Sequence, residues 1–245
     1  MDAQQASAQS QEAVDSATKL YNDIKARFPA AETEFQSSWA AGHAVCRSSS
    51  ITTKNDTCTR TAEFDALHRL GPKIIPFVVF KLARDNAAQD LWAVFLYNAL
   101  ECDQSYRSNL LADEDLRRCS REIIALNYQR TKAAEDHIKA WEDYHLQNPS
   151  SNTSTWYLCD EYEILLEMGP SIIAHVMLGY YDSEAKHGAW YELLHEMIHG
   201  HRMRAHSVQK GALFDIWCRW FNWGKHSEAF EYIPTEADRR VYGLE

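Results

Sequence analysis

The sequence predicts an all-α protein: a HEAT-like helical repeat with two internally similar units, residues 63–102 and 161–200. Three observations predict it. The first segment lies on the second without a gap, and ten of the forty aligned positions are identical. They include Gly-Pro at 71–72 and 169–170, Ile-Ile at 74–75 and 172–173, and Trp92 with Trp190. Matched punctuation at a fixed offset marks an internal repeat. Next, Gly ends one helix and Pro fits the first turn of another, so each Gly-Pro pair reads as a sharp helix-to-helix corner. Finally, apolar residues outside the copies recur at helical spacing. Units of this kind bury their apolar faces by stacking, so the chain is expected to form one domain with approximate twofold internal symmetry. Its parts are N-terminal helices and a loop (1–62), a first unit (63–147) and a second (148–245).

The elements follow in order. Val14, Leu20, Tyr21, Ile24 and Phe28 place an amphipathic helix over residues 1–28, stopped by Pro29. A short second helix begins over Glu34 to Trp39, and the Ser/Thr/Asn-rich stretch 47–59 reads as a loop. Each copy then reads as a helix, a Gly-Pro corner, a buried helix, a short polar loop and a third helix carrying the Trp. Between the copies, residues 116–147 form a long amphipathic stretch, and 145–155 is the clearest linker. Phe214, Trp217 and Phe221 share one stripe, with core packing as the default. The segment TEAD at 235–238 has the form of a capping box opening a last short helix.

Composition narrows the classes of function. A length of 245 residues with 45% hydrophobic content supports a substantial core. A net charge of −10 and a pI near 5.6 argue against a broad phosphate-binding surface, and no DNA partner is expected. The N-terminus does not read as a signal peptide, and no apolar run is long enough to span a bilayer, which predicts a cytoplasmic protein with no membrane partner. Six dispersed cysteines without a CxxC then read as buried thiols, and the sequons at Asn55 and Asn152 as accidental. There is no P-loop, GxGxxG or GxSxG.

The chemical grammar is concentrated in AWYELLHEMIHGH, residues 189–201. His195 and His199 stand four apart and share a helix face, with Glu196 between them. In the first copy Tyr97, Asn98 and Glu101 occupy the positions of His195, Glu196 and His199. Polar groups inside apolar helices cost roughly 1–3 kcal/mol each unless paired. Either these residues pair across the repeat interface as structural glue, or they line a cavity there. His175 stands where the first copy has Phe77; a lone His there is more often core than ligand. Asp160 and Glu163 crowd a helix start, which the helix dipole alone favours, and they would also suit a guanidinium.

Three functions follow. A metal-dependent hydrolase would hold zinc through His195, His199 and a downstream carboxylate such as Glu228, although HExxHxxGxxH fails at Arg202 and Ala205. A non-catalytic adaptor would use the fold as a binding surface. The third rests on likeness. LYNALE, EMGPSIIAHVM, HEMIHGH and YIPTEADRRV resemble a large, mostly unannotated family of filamentous-fungal proteins over nearly the whole chain, and the chain is similar in kind to the arginine-containing cyclodipeptide synthases of specialised metabolism.

The Asp-Asp-x-x-Glu pattern of those synthases is absent, the nearest stretch being Asp160-Glu161-Tyr162-Glu163. The resemblance implies an enzyme that needs no cofactor and joins two aminoacyl-tRNA esters or takes a related small-molecule substrate. On it Glu196 or His199 is the base, and Tyr97 and Asn98 donate hydrogen bonds beside Glu101. His195 and His175 face the substrate, Asp160 or Glu163 receives the arginine, and Trp92 and Trp190 wall the cavity.

Overall fold

The computed structural model describes residues 3–48, 59, 61–84, 91–108, 116–149, 153–183, 189–202 and 210–223. Among them there are ten α-helices and no strand. They are α1 (Ala3–Arg27), α2 (Pro29–Ser48), α3 (Ala62–His68), α4 (Ile75–Arg84), α5 (Leu91–Leu100), α6 (Leu116–Gln147), α7 (Asp160–Glu167), α8 (Ile173–Asp182), α9 (Trp190–His199) and α10 (Lys210–Trp223). The all-helical class is as the sequence predicts. The second helix is longer than the short one expected from Glu34 to Trp39, because the alanines that follow continue it to Ser48. The expected loop at 47–59 falls almost wholly outside the described residues, as does the capping box at 235–238.

The two similar segments carry the same order of elements. Helix α3 corresponds to α7, the 3₁₀ turn Pro72–Ile74 to Pro170–Ile172, α4 to α8 and α5 to α9. Both corners turn on glycine: Gly71 has φ 74° and ψ −171°, Gly169 φ 69° and ψ −170°. That region is open to glycine almost alone, so the Gly of each pair is what permits the turn. The following Pro occupies the first position of the 3₁₀ turn, where its missing N–H removes nothing.

The two corners pack against each other, so Pro72–Ile74 touches Pro170–Ile172 and α8 leans on the first corner. Helices α1 and α6 hold the arrangement from outside, α1 packing on α4, α6 and α8, and α6 on α4, α5, α7 and α8. Helix α6 keeps a buried stripe at Ile123, Asn127, Arg130, Thr131, Ala134 and Trp141, a helical period that includes polar members. Trp92 packs on Trp39 with ring centroids 4.8 Å apart, and Trp190 on Trp141 at 4.9 Å. Each indole lies over a glycine, Gly42 for Trp92 and Gly179 for Trp190, where any Cβ would collide with the ring.

Lys73, buried beside the first corner, donates from Nζ to the Trp220 carbonyl at 2.9 Å and sits 4.8 Å over that indole. Burial lowers its pKa to about 8. The described cysteines Cys102, Cys119, Cys159 and Cys218 are free thiols.

Candidate functional site

The matched polar positions of the two copies are built into different surroundings. Helix α5 packs chiefly on α3, α4 and α6, whereas α9 packs on α7, α8 and α10. The expected cavity between the Tyr97 and His195 helices is therefore not how they are disposed. The physical reason lies in the corners, which make the contact between the segments and leave each third helix to its own neighbours.

In the first copy, Glu101 is fully buried at the end of α5. Its Oε1 accepts from Ser171 Oγ at 2.8 Å and from the Asp103 N–H at 2.9 Å, while Oε2 meets the guanidinium of Arg130. Its carbonyl accepts from Arg107 Nε and Nη2 at 2.9 and 2.6 Å. Arg130, 2% exposed, also lies 4.2 Å over the Tyr106 ring. Asn98 exchanges two hydrogen bonds with the backbone of Ser108, at 3.0 and 3.2 Å, and Tyr97 donates to the Tyr106 carbonyl at 3.2 Å. Burial raises the Tyr97 pKa well above the ordinary phenol value, so it stays a donor. These side chains together clamp residues 101–108 onto α5, α6 and the second corner. Buried groups engaged in this way act as structural glue.

Sequence reasoning missed Arg130, Tyr106 and Ser171. A signal for Arg130 was present, since it falls on the apolar stripe of 116–147, where an unpaired guanidinium is too costly to bury.

In the second copy the equivalent positions form a histidine cluster at the end of α9. His195 is 4% exposed, and among the described residues neither of its ring nitrogens has a hydrogen-bond partner. The His199 ring lies 4.4 Å away between centroids and the His201 ring 5.2 Å away. Gly200, with φ 70°, ends the helix in the left-handed region and lets His201 fold back toward the other two rings. His201 Nδ1 lies 3.1 Å from the Arg202 carbonyl and donates to it in the tautomer that leaves Nε2 a lone pair.

Burial is the main cause that lowers the His195 pKa to about 4, with the neighbouring His199 and His201 adding to it. The imidazole is thus neutral at pH 7. Glu196 points the other way and accepts from the Tyr162 hydroxyl at 2.9 Å and Arg202 Nε at 3.3 Å. Burial first, and the bond to Glu196 second, raise the Tyr162 pKa.

No family model, curated protein or solved structure matches the chain.

Arg202 joins α9 to α7. Its guanidinium lies 4.7 Å over the Tyr157 ring and reaches Glu163 at 3.7 Å besides Glu196. Glu163, which the sequence assigns to a guanidinium, thus faces one from its own chain. Asp160 is exposed on the first turn of α7. Trp92 and Trp190 are core residues, each held over the glycine opposite it. His175 is buried between α8 and α6, with Nε2 3.4 Å from Thr131 Oγ1. Among the described residues no three His, Cys, Asp or Glu side chains are grouped to hold a metal ion, and Glu228 lies outside them.

Proposed function

We propose that this chain is an aminoacyl-transfer enzyme of the arginine-containing cyclodipeptide synthase type, with His195, His199 and His201 handling the proton. The observation that carries the reading is the grouping of three imidazoles at the end of α9, with the buried, neutral His195 ring against those of His199 and His201. Joining two aminoacyl esters requires one ammonium to lose a proton before its amine attacks the other ester carbonyl, after which the tRNA hydroxyl leaves with a proton. On this reading His199 and the exposed His201, whose ring centroids stand 4.4 and 5.2 Å from that of His195, pass that proton to solvent.

Glu196, tied to Tyr162 and Arg202, anchors the helix end. Glu163 and the Tyr157 face would receive the substrate guanidinium in the manner they now hold Arg202. Tyr97, Asn98 and Glu101 take the structural role. The scaffold on this reading is a duplicated helical unit, HEAT-like in its helix pairs, with the two corners at its approximate twofold; the matched corner angles and their mutual packing support it.

The test is incubation with arginyl-tRNA and a panel of other charged tRNAs, reading arginine-containing diketopiperazines by mass spectrometry. The wild-type protein gives product and His195→Leu does not. Absence of product with every pair rejects the reading.

A further inference from the structure

A second site lies away from the histidine cluster, where α1, α6 and α8 leave a cleft of about 240 Å³ with His175 among its lining residues. Most of the charges around it are already matched. Arg27 donates to both oxygens of Asp182, at 2.7 and 2.6 Å, and also reaches Asp23 at 3.5 Å. Lys19 is shared between Asp23 at 3.5 Å and Glu135 at 3.9 Å. Two lining charges stand outside this network.

Lys139 and Glu142, three residues apart on α6, project from neighbouring positions of one helix face and have no ion-pair or hydrogen-bond partner among the described residues. Glu142 is half-buried, and burial, reinforced by Asp143, raises its pKa. The half-buried carboxylate is open to a cationic group, and the exposed ammonium of Lys139 beside it to an anionic one. Between these charged groups Leu20, Ile138 and Leu178 supply an apolar strip of the lining.

We infer that this cleft binds a small aliphatic zwitterion of the α-amino acid class, its ammonium on Glu142, its carboxylate on Lys139 and its side chain on Leu20, Ile138 and Leu178. The volume sets the scale. Sites that bury drug-sized ligands run to roughly 300–1,000 Å³, and a cleft below that range suits a single residue-sized metabolite. The charges set the class, because a monovalent anion or cation would satisfy one of the two α6 groups and strand the other. Neutral His175 adds no competing charge, with its pKa lowered to about 4 chiefly by burial and further by Arg130 and Lys19. The site stands whether or not the chain transfers aminoacyl groups.

Three probes separate the contributions: L-leucine, L-leucinamide, which lacks the carboxylate, and 4-methylpentanoate, which lacks the ammonium. Binding is followed by titration calorimetry and by the NMR resonances of the His175 ring. L-leucine is expected to shift the His175 signals saturably, with each analogue at least about ten-fold weaker, the loss for one charge-assisted contact. Glu142→Gln and Lys139→Gln, both at solvent-accessible positions of α6, should each weaken L-leucine by a similar factor while leaving the melting temperature unchanged. The inference is overturned if L-leucine leaves His175 unmoved, if both analogues bind as well as L-leucine, or if neither substitution alters binding.

Discussion

Two glutamates, Glu101 and Glu196, are set by their neighbours to different tasks. Glu101 is held from several sides, with Ser171, the Asp103 N–H and Arg130 on its carboxylate and Arg107 on its carbonyl. Removing one member of a buried ion pair strands the other, which costs roughly 3–5 kcal/mol. Arg130→Met should therefore lower the melting temperature by roughly 6–20 °C for a chain of this length. The double variant Glu101→Leu/Arg130→Met should recover part of that loss, because no charge is left stranded; denaturant melts of the two variants check this. Glu196 meets solvent, Tyr162 and a half-exposed Arg202, so Glu196→Gln should cost less than about 1 kcal/mol in the same melts.

At the scale of elements, glycine placement decides where helices turn and how closely they approach. Gly169 adopts a φ/ψ combination that disfavours any side chain, and Gly169→Ala should destabilise by roughly 1–3 kcal/mol through backbone strain alone. Gly179→Ala should cost a similar amount for a different reason, the clash of its Cβ with Trp190. Thermal melts combined with near-ultraviolet dichroism separate the two, since only the second disturbs an indole.

The corners were legible in the sequence because Gly-Pro is a local signal whose meaning needs no tertiary context. The extent of α6 was legible from its period. The partners of Tyr97, Asn98 and Glu101 were not, since the 101–108 segment that engages them has no periodicity and Ser171 lies in the other copy. The same sequence equivalence that suggested a duplication also suggested a shared cavity. It failed there because aligned positions need not face each other once the corners carry the contact.

At the scale of the whole molecule, buried ionisable groups set the pH range of stability. His175 and His195 have pKa values lowered to about 4 from 6.5, so the unfolded chain binds more protons between those limits. Stability should fall as pH drops from about 6.5 to 4, by up to about 3 kcal/mol from His175 alone. Lys73, lowered from 10.5 to about 8, acts in the same direction, adding stability as pH rises through that window. The buried tyrosines work the other way: Tyr21 and Tyr191 are raised to about 12 from 10, and their contribution is lost as pH climbs past 10. Melting temperature against pH should accordingly show an acid limb centred near pH 5, flattened in His175→Gln.

The account turns on an imidazole that the fold keeps at a cost. A buried polar group without a partner is unfavourable by roughly 1–3 kcal/mol. The most direct measurement is the melting temperature of His195→Leu at pH 7. A rise of several degrees, roughly 2–4 °C for each kcal/mol recovered, is the predicted result. A fall would mean that the His195 ring is a satisfied part of the core, and the histidine cluster would lose its claim to chemistry.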